Sequence, residues 1–214
     1  MLPPLRQNQV LEQIEELRLP QLDLSVCPAE QREARLNELV AADFMLILGN
    51  DLRVVPVVID ALAGRFRHSG ICDEKTADRL AVAIEEALVN AIVHGNLEIS
   101  SLVREQPGNI YEKMIQARRL DPRFRKRRVR VICRYGLREG SIVVRDEGKG
   151  FDVAALPDPT NEENLSRAYG RGILLMRAFF DDVNYSPRGN AVTLVKQKPS
   201  PSSVGEKISS LVAN

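Results

Sequence analysis

Glu86, Asn90 and His94 stand four residues apart in the stretch AVAIEEALVNAIVHGN, residues 81 to 96. A carboxylate one turn from a carboxamide offers a hard oxygen ligand for magnesium beside a group able to take a proton, which is what a nucleotide-handling site needs. The element that must present them is legible in the same residues. Leu80, Ile84, Ala87, Leu88, Ala91 and Ile92 recur at helical spacing, with Ala77 a turn earlier. An amphipathic helix that buries this stripe carries the polar residues along one edge beside it. Asp73 is its expected N-cap, with Glu74 in the first turn. Taken alone, Glu86 and Asn90 read equally well as half-exposed helix residues. Glu85 adjoins Glu86 but points about 100° away around the helix and ranks second. His94 is expected to secure the helix end, and His68 to be an exposed loop residue.

Two glycine-bearing motifs lie further on. Asp146-Glu147-Gly148-Lys149-Gly150-Phe151 follows an expected strand, and its glycines permit tight turns or close approach of the backbone to a planar ligand. Asp146 at the strand end could accept a hydrogen bond from an exocyclic amine such as adenine offers. A calcium loop does not fit, because Phe151 occupies the position that requires glycine and Pro157 the closing glutamate position. Gly170-Arg171-Gly172 opens a helical stretch, where free N–H groups and the helix dipole attract phosphate; a tight entry into a helix would use the same residues. No G-x-x-x-x-G-K-[ST] motif occurs, so a nucleotide would be held by another architecture.

In this order, Glu86, Asn90, His94 and Gly95, then Asp146, Gly148, Gly150 and Phe151, then Gly170 to Ile173, the motifs resemble the N, G1 and G2 boxes of the GHKL ATPases. Within that superfamily the chain most resembles the RsbW-like anti-sigma-factor serine kinases. The resemblance covers about residues 44 to 197. It implies an α+β fold, the two-layer α/β sandwich of the Bergerat type, whose mixed, mainly antiparallel sheet is covered by helices on one face. It implies ATP and magnesium, with Asn90 holding the metal and Glu86 preparing the attacking hydroxyl. Asp146 would bind the adenine amine, Gly148, Gly150 and Phe151 would shape the pocket floor, and residues 152 to 169 would be the ATP lid. Gly170, Arg171, Gly172 and Ile173 would meet phosphates at the lid's C-terminal hinge. The implied function is phosphorylation of a serine or threonine on a STAS-type antagonist, with a sigma factor as a further partner. An ATP-dependent binding module without transfer activity is the alternative, and the catalytic domain of a two-component-like kinase a further one.

The rest of the chain is organised around this region. At 214 residues, 44% hydrophobic and 28% charged, it is expected to form one well-cored domain with extensions. No apolar run reaches the roughly 18 residues of a membrane span, and the N-terminus lacks a signal-peptide core, so a cytoplasmic protein is expected. Cys27, Cys72 and Cys133 are odd in number and widely spaced, so they are expected as reduced thiols. Residues 1 to 43 read as a helical extension, with helices over 8 to 18 and about 28 to 41, packed on the main body or on a second copy in a homodimer. A strand is expected at 44 to 48 and a helix from Val55 to Arg67. Residues 97 to 128 read as an insertion with a helix over 110 to 119. It ends in RRLDPRFRKRRVR, where Arg and Lys outnumber Asp121 by eight to one. A solvated connector with compensating acid nearby is favoured there over a nucleic-acid surface. Strands at 129 to 137 and 141 to 148 are joined by the turn REG. The helix from 170 runs on through FFDDV, burying Ile173, Leu174, Met176, Ala178 and Phe179 or Phe180, and a last strand covers 191 to 197. The Ser-rich tail from Pro199 reads as disordered.

Overall fold

In the computed structural model, the described residues are 19–39, 43–106, 108–155 and 171–199. The expected helix over 8 to 18, most of the lid, Gly170 and the tail from residue 200 lie outside them. Six strands form one sheet: β1 (Gln21–Asp23), β2 (Asp43–Leu48), β3 (Val129–Tyr135), β4 (Glu139–Arg145), β5 (Asp182–Tyr185) and β6 (Ala191–Gln197). Their spatial order is β1-β2-β3-β4-β6-β5; β1 runs parallel to β2 and every other pair is antiparallel. The mixed, mainly antiparallel sheet is as expected.

Alternation decides which side is buried. Phe44, Leu46 and Leu48 of β2, and Val129, Val131, Cys133 and Tyr135 of β3, all belong to the main core. The residues between them face the other way, where Met45, Ile132 and Val143 form a small second cluster with Leu19 against it.

The main core is closed by helices α1 (Arg32–Glu38), α2 (Val55–His68), α3 (Glu74–Val89) and α5 (Arg171–Phe179); α4 (Ile110–Leu120) follows α3 in the chain. The Asp73 carboxylate caps α3 by accepting from the Thr76 N–H at 2.8 Å, one of the orphan donors of a helix start. Helix α3 packs against both α2 and α5. Its Leu80, Ile84 and Leu88 are fully buried, and burying each such side chain is worth about 1.5–3 kcal/mol. Leu88→Ala would therefore cost about 2–5 kcal/mol by transfer and cavity terms together.

Helix α3 does not continue regularly to residue 96. From Asn90 to Asn96 the chain is a π-helix, closed by the Leu97 N–H donating to the Ile92 carbonyl five residues back at 2.9 Å. Such wide turns are rare and occur often at functional sites.

Several local expectations are corrected. The turn between β3 and β4 is Gly136 to Arg138, not 138 to 140; a Cβ on Gly140 would lie 2.6 Å from the Phe66 ring, so this glycine makes room for the core inside a strand. The helix beginning near residue 170 ends at Phe179, and Asp182–Tyr185 is an edge strand. Ala178 is exposed rather than buried. Ahead of β2 the described residues supply β1, a short 3-10 turn at Ala29–Gln31 and the seven-residue α1. Cys27, Cys72 and Cys133 are free thiols, and burial pushes the Cys133 thiol up.

Candidate functional site

Helix α3 presents Glu86, and Asn90, the first residue of the π segment, follows one turn on; both are half-buried. A Cβ on Gly172 would fall 2.5 Å from Glu86 Oε2 and 3.4 Å from Asn90 Nδ2, so a larger residue there would have to push the Glu86 carboxylate aside. The start of α5 therefore lies against a carboxylate and a carboxamide. Arg171 is exposed beside them, and Ile173 packs against the core. His94 falls within the π segment and is engaged with the backbone: its Nδ1 lies 2.5 Å from the Ile99 carbonyl oxygen.

Asp146 follows the last residue of β4 and is 8% exposed. Asn190 holds its backbone from both sides: the Asp146 N–H donates to the Asn190 carbonyl at 3.0 Å, and Asn190 Nδ2 donates to the Asp146 carbonyl at 3.1 Å. Oδ1 of the carboxylate accepts from the Gly148 N–H at 2.7 Å, leaving Oδ2 without a hydrogen-bond partner among the described residues. Burial raises the carboxyl to about 6, against the lowering effect of the Gly148 N–H, Arg127 and Arg188.

Glycines shape the space around this carboxylate. A side chain on Gly95, at the end of the π-helix, would strike Asp146, and one on Gly148 would collide with the Gly95 carbonyl. Gly150 has φ +76° and abuts the Arg188 carbonyl, a conformation that disfavours any other residue. Arg188 Nη2 donates to the Gly148 carbonyl at 3.2 Å and fastens the loop to the β5–β6 turn. Phe151 is exposed, its ring edge-on to Tyr185 at 5.4 Å.

A family model for the histidine kinase-like ATPase domain matches residues 50–196. The chain belongs to this family. Comparison with curated proteins returns no match. Within the ATPase domain's span lie all the residues singled out above, from Glu86 to Ile173, and ATP is the ligand expected of it. The residues present fit a nucleotide: a buried carboxylate with one free oxygen, a floor of glycines that a Cβ would fill, and a helix start facing a carboxylate and a carboxamide. No cluster of three or more metal-ligating side chains occurs among the described residues. Magnesium held by phosphates with one protein oxygen needs no such cluster, and the Asn90 carboxamide can supply that oxygen.

Residues that the motifs do not name hold the ATPase domain's site together. Asn96, fully buried at the end of the π-helix, donates to Asn50 Oδ1 at 2.9 Å and accepts from the Glu147 N–H at 2.9 Å. Asn50 in turn donates to the Phe124 carbonyl at 2.9 Å. This chain of amides ties β2, the π-helix and the Asp146 loop together, and buried polar side chains persist where every group is paired. The signal was present in sequence as two asparagines at the ends of apolar segments, where core residues would otherwise stand. The basic connector packs inward. Arg118 donates to the Leu97 and Glu98 carbonyls at 2.6 and 2.7 Å, and Arg127 to the Asn96 carbonyl at 2.9 Å. The guanidinium groups of Arg118, Arg123 and Arg127 lie 4.9 to 5.2 Å from the Phe124 ring centre. Burial opposes ionisation of Glu98, yet hydrogen bonds from Arg127 and Lys149 hold its carboxyl below the usual range. Tyr111 of α4 is half-buried, and its hydroxyl is raised chiefly by burial, with the charges of Glu112 and Glu86 adding and that of Arg104 opposing. Among the described residues no helix is long and apolar enough to cross a membrane.

Proposed function

We propose that this ATPase domain is an anti-sigma-factor-type regulator that uses Mg-ATP to phosphorylate a serine or threonine of a STAS-type antagonist protein. The observation that carries the reading is the state of Glu86. Its carboxylate lies against Gly172 at the start of α5 and beside Asn90, and it has no hydrogen-bond or ion-pair partner among the described residues. A carboxylate without such a partner, beside a helix start whose N–H groups would receive phosphate, is available to orient a hydroxyl and take its proton.

In the proposed transfer the acceptor hydroxyl oxygen forms a bond to the γ-phosphorus while the bond from that phosphorus to the β–γ bridging oxygen breaks. ADP leaves, and the hydroxyl proton passes to Glu86. Magnesium, when bound, neutralises phosphate charge, and Asn90 is the residue that would hold it. Asp146 Oδ2 would accept from the adenine amine and fix the far end of the nucleotide. Positioning and charge neutralisation supply most of the rate in phosphoryl transfer, so this small set of groups suffices. Arg118 and Arg127 are bonded inward and Arg123 is paired with Asp121, so these arginines do not favour a nucleic-acid partner.

The test is incubation of the protein with γ-labelled Mg-ATP and a STAS-type antagonist. Label on a serine or threonine of that partner, abolished in Glu86→Gln with ATP binding intact, is the expected result. ATP binding without transfer would replace the reading by a non-catalytic partner-binding module. Acid-labile label on a histidine would place the domain with two-component kinases.

A further inference from the structure

A second concave site lies away from the Glu86–Asp146 region, beyond the Asn50–Asn96 amide pair. It is a cavity of about 250 Å³ where the ends of β1 and β2 meet α1, α4 and the connector after α4. Arg32, Arg119, Arg125 and Arg128 all line it, with Asp51 as the only carboxylate among the lining residues. Asp51 is already committed. Arg53 hydrogen-bonds it at 2.7 to 3.1 Å and Arg119 lies 3.3 Å away, and chiefly through Arg53 its carboxyl is lowered to about 2. The remaining guanidinium groups have no carboxylate among the described residues. Arg32 donates to the Cys27 carbonyl at 3.3 Å, Arg128 donates to the carbonyls of Arg125 and Arg127 at 3.2 and 3.1 Å, and the Arg125 side chain has no hydrogen bond among the described residues.

Guanidinium groups stay charged at any physiological pH, so four of them from three segments lining one cavity, with a single carboxylate that Arg119 and Arg53 already engage, leave a local excess of positive charge. Their planar forks match the oxygens of a phosphoryl group, which each can grip through two parallel hydrogen bonds. Asn50 adds a polar amide to the wall. The volume falls below the roughly 300–1,000 Å³ of sites that engulf a whole drug-sized ligand, so the cavity suits a compact dianion rather than a second nucleotide.

We propose that this cavity is a phosphate-binding site, separate from the nucleotide site, that takes a phosphoryl group either free as inorganic phosphate or carried on a serine side chain. Arg32, Arg119, Arg125 and Arg128 are its ligands. The inference does not rest on the proposed kinase function, since its residues are distinct from Glu86, Asn90, Asp146 and Gly172.

The arginine Nε–Hε signals of the full chain, followed by NMR during titration with sodium phosphate at constant ionic strength and in saturating Mg-ADP, test it. A parallel titration uses N-acetyl-phosphoserine amide. Saturable shifts at Arg119 and Arg128 are expected, with affinity reduced on the order of tenfold in Arg125→Gln and again in Arg32→Gln. Among the described residues Arg125→Gln removes no hydrogen bond and Arg32→Gln one, to the Cys27 carbonyl, and circular dichroism confirms the fold of each. Tighter binding of phosphoserine than of phosphate identifies a protein-borne group, and the reverse identifies the free ion. No saturable shift with either probe, or shifts that survive both substitutions, would overturn the proposal.

Discussion

A Cβ placed on Gly95 would stand 2.5 Å from Oδ1 of Asp146. The end of the π-helix and the end of β4 thus meet through a glycine and a carboxylate with no room for one more carbon. Gly95→Ala must push the Asp146 side chain or the π-helix aside, and overpacking of this kind costs about 1–3 kcal/mol. Thermal unfolding should show that loss, and calorimetry a larger one in ATP affinity, because the displaced group is the proposed adenine acceptor. Unchanged ATP binding would mean that Asp146 does not receive the base.

Asp146 also sets a pH dependence. Burial raises its folded carboxyl to about 6, above the roughly 3.9 of an unfolded chain. Between these values the native state holds the extra proton, so stability falls as pH rises through the window and carries the full cost above it. That cost is about 3 kcal/mol at neutral pH. Asp146→Asn, which keeps an acceptor for the Gly148 N–H, should therefore be more stable than the natural protein to urea at neutral pH. The gain should vanish below about pH 4, and nucleotide binding should weaken throughout. An equal gain at all pH values would remove the ionisation of Asp146 as its cause.

Glu86 and Gly172 can be separated by kinetics. Glu86→Gln keeps the shape and removes the proton acceptor, so turnover should fall by about 10²- to 10⁴-fold with ATP affinity nearly unchanged. Gly172→Ala should instead displace the Glu86 carboxylate and narrow the phosphate approach, lowering affinity and turnover together. Direct measurement of nucleotide binding alongside rate distinguishes the two patterns.

Asn96→Ala would orphan the Glu147 N–H and the Asn50 carboxamide oxygen in a buried setting. Leaving such groups unpaired costs about 1–3 kcal/mol each. A clear drop in denaturation midpoint is expected, with faster amide exchange of the Asp146 loop; a neutral substitution would mean that water replaces the lost bonds.

Helices α2 and α3 were legible because long apolar stripes and caps such as Asp73 are local signals, and β2, β3 and β6 because their apolar runs are bounded by turn residues. The edge strands β1 and β5 were not, since three or four residues carry too little alternation and the DDVNY segment continues a helical pattern. Gly140 misled because its role is to admit Phe66, a contact made across 74 residues of chain. Of the site, Glu86, Asn90, Asp146 and Gly172 could be chosen from motifs. No motif marks Asn50 and Asn96, only their places at the ends of apolar segments, since their function is to pair with each other across the fold. The π turn was hidden because the residues before it follow the ordinary helical period.

That turn bears on which changes of length the chain can bear. Over the same rise a π segment holds one residue more than an α-helix. Deleting one residue between Asn90 and Asn96 would let an ordinary α-helix cover the same rise, so the chain beyond it would keep its place. What would go is the wide turn itself, and with it the setting of Gly95 against Asp146 and of Asn96 against the Glu147 N–H. A deletion here would leave the fold standing and loosen the site, so the surplus residue matters through the spacing of its neighbours rather than through its own side chain.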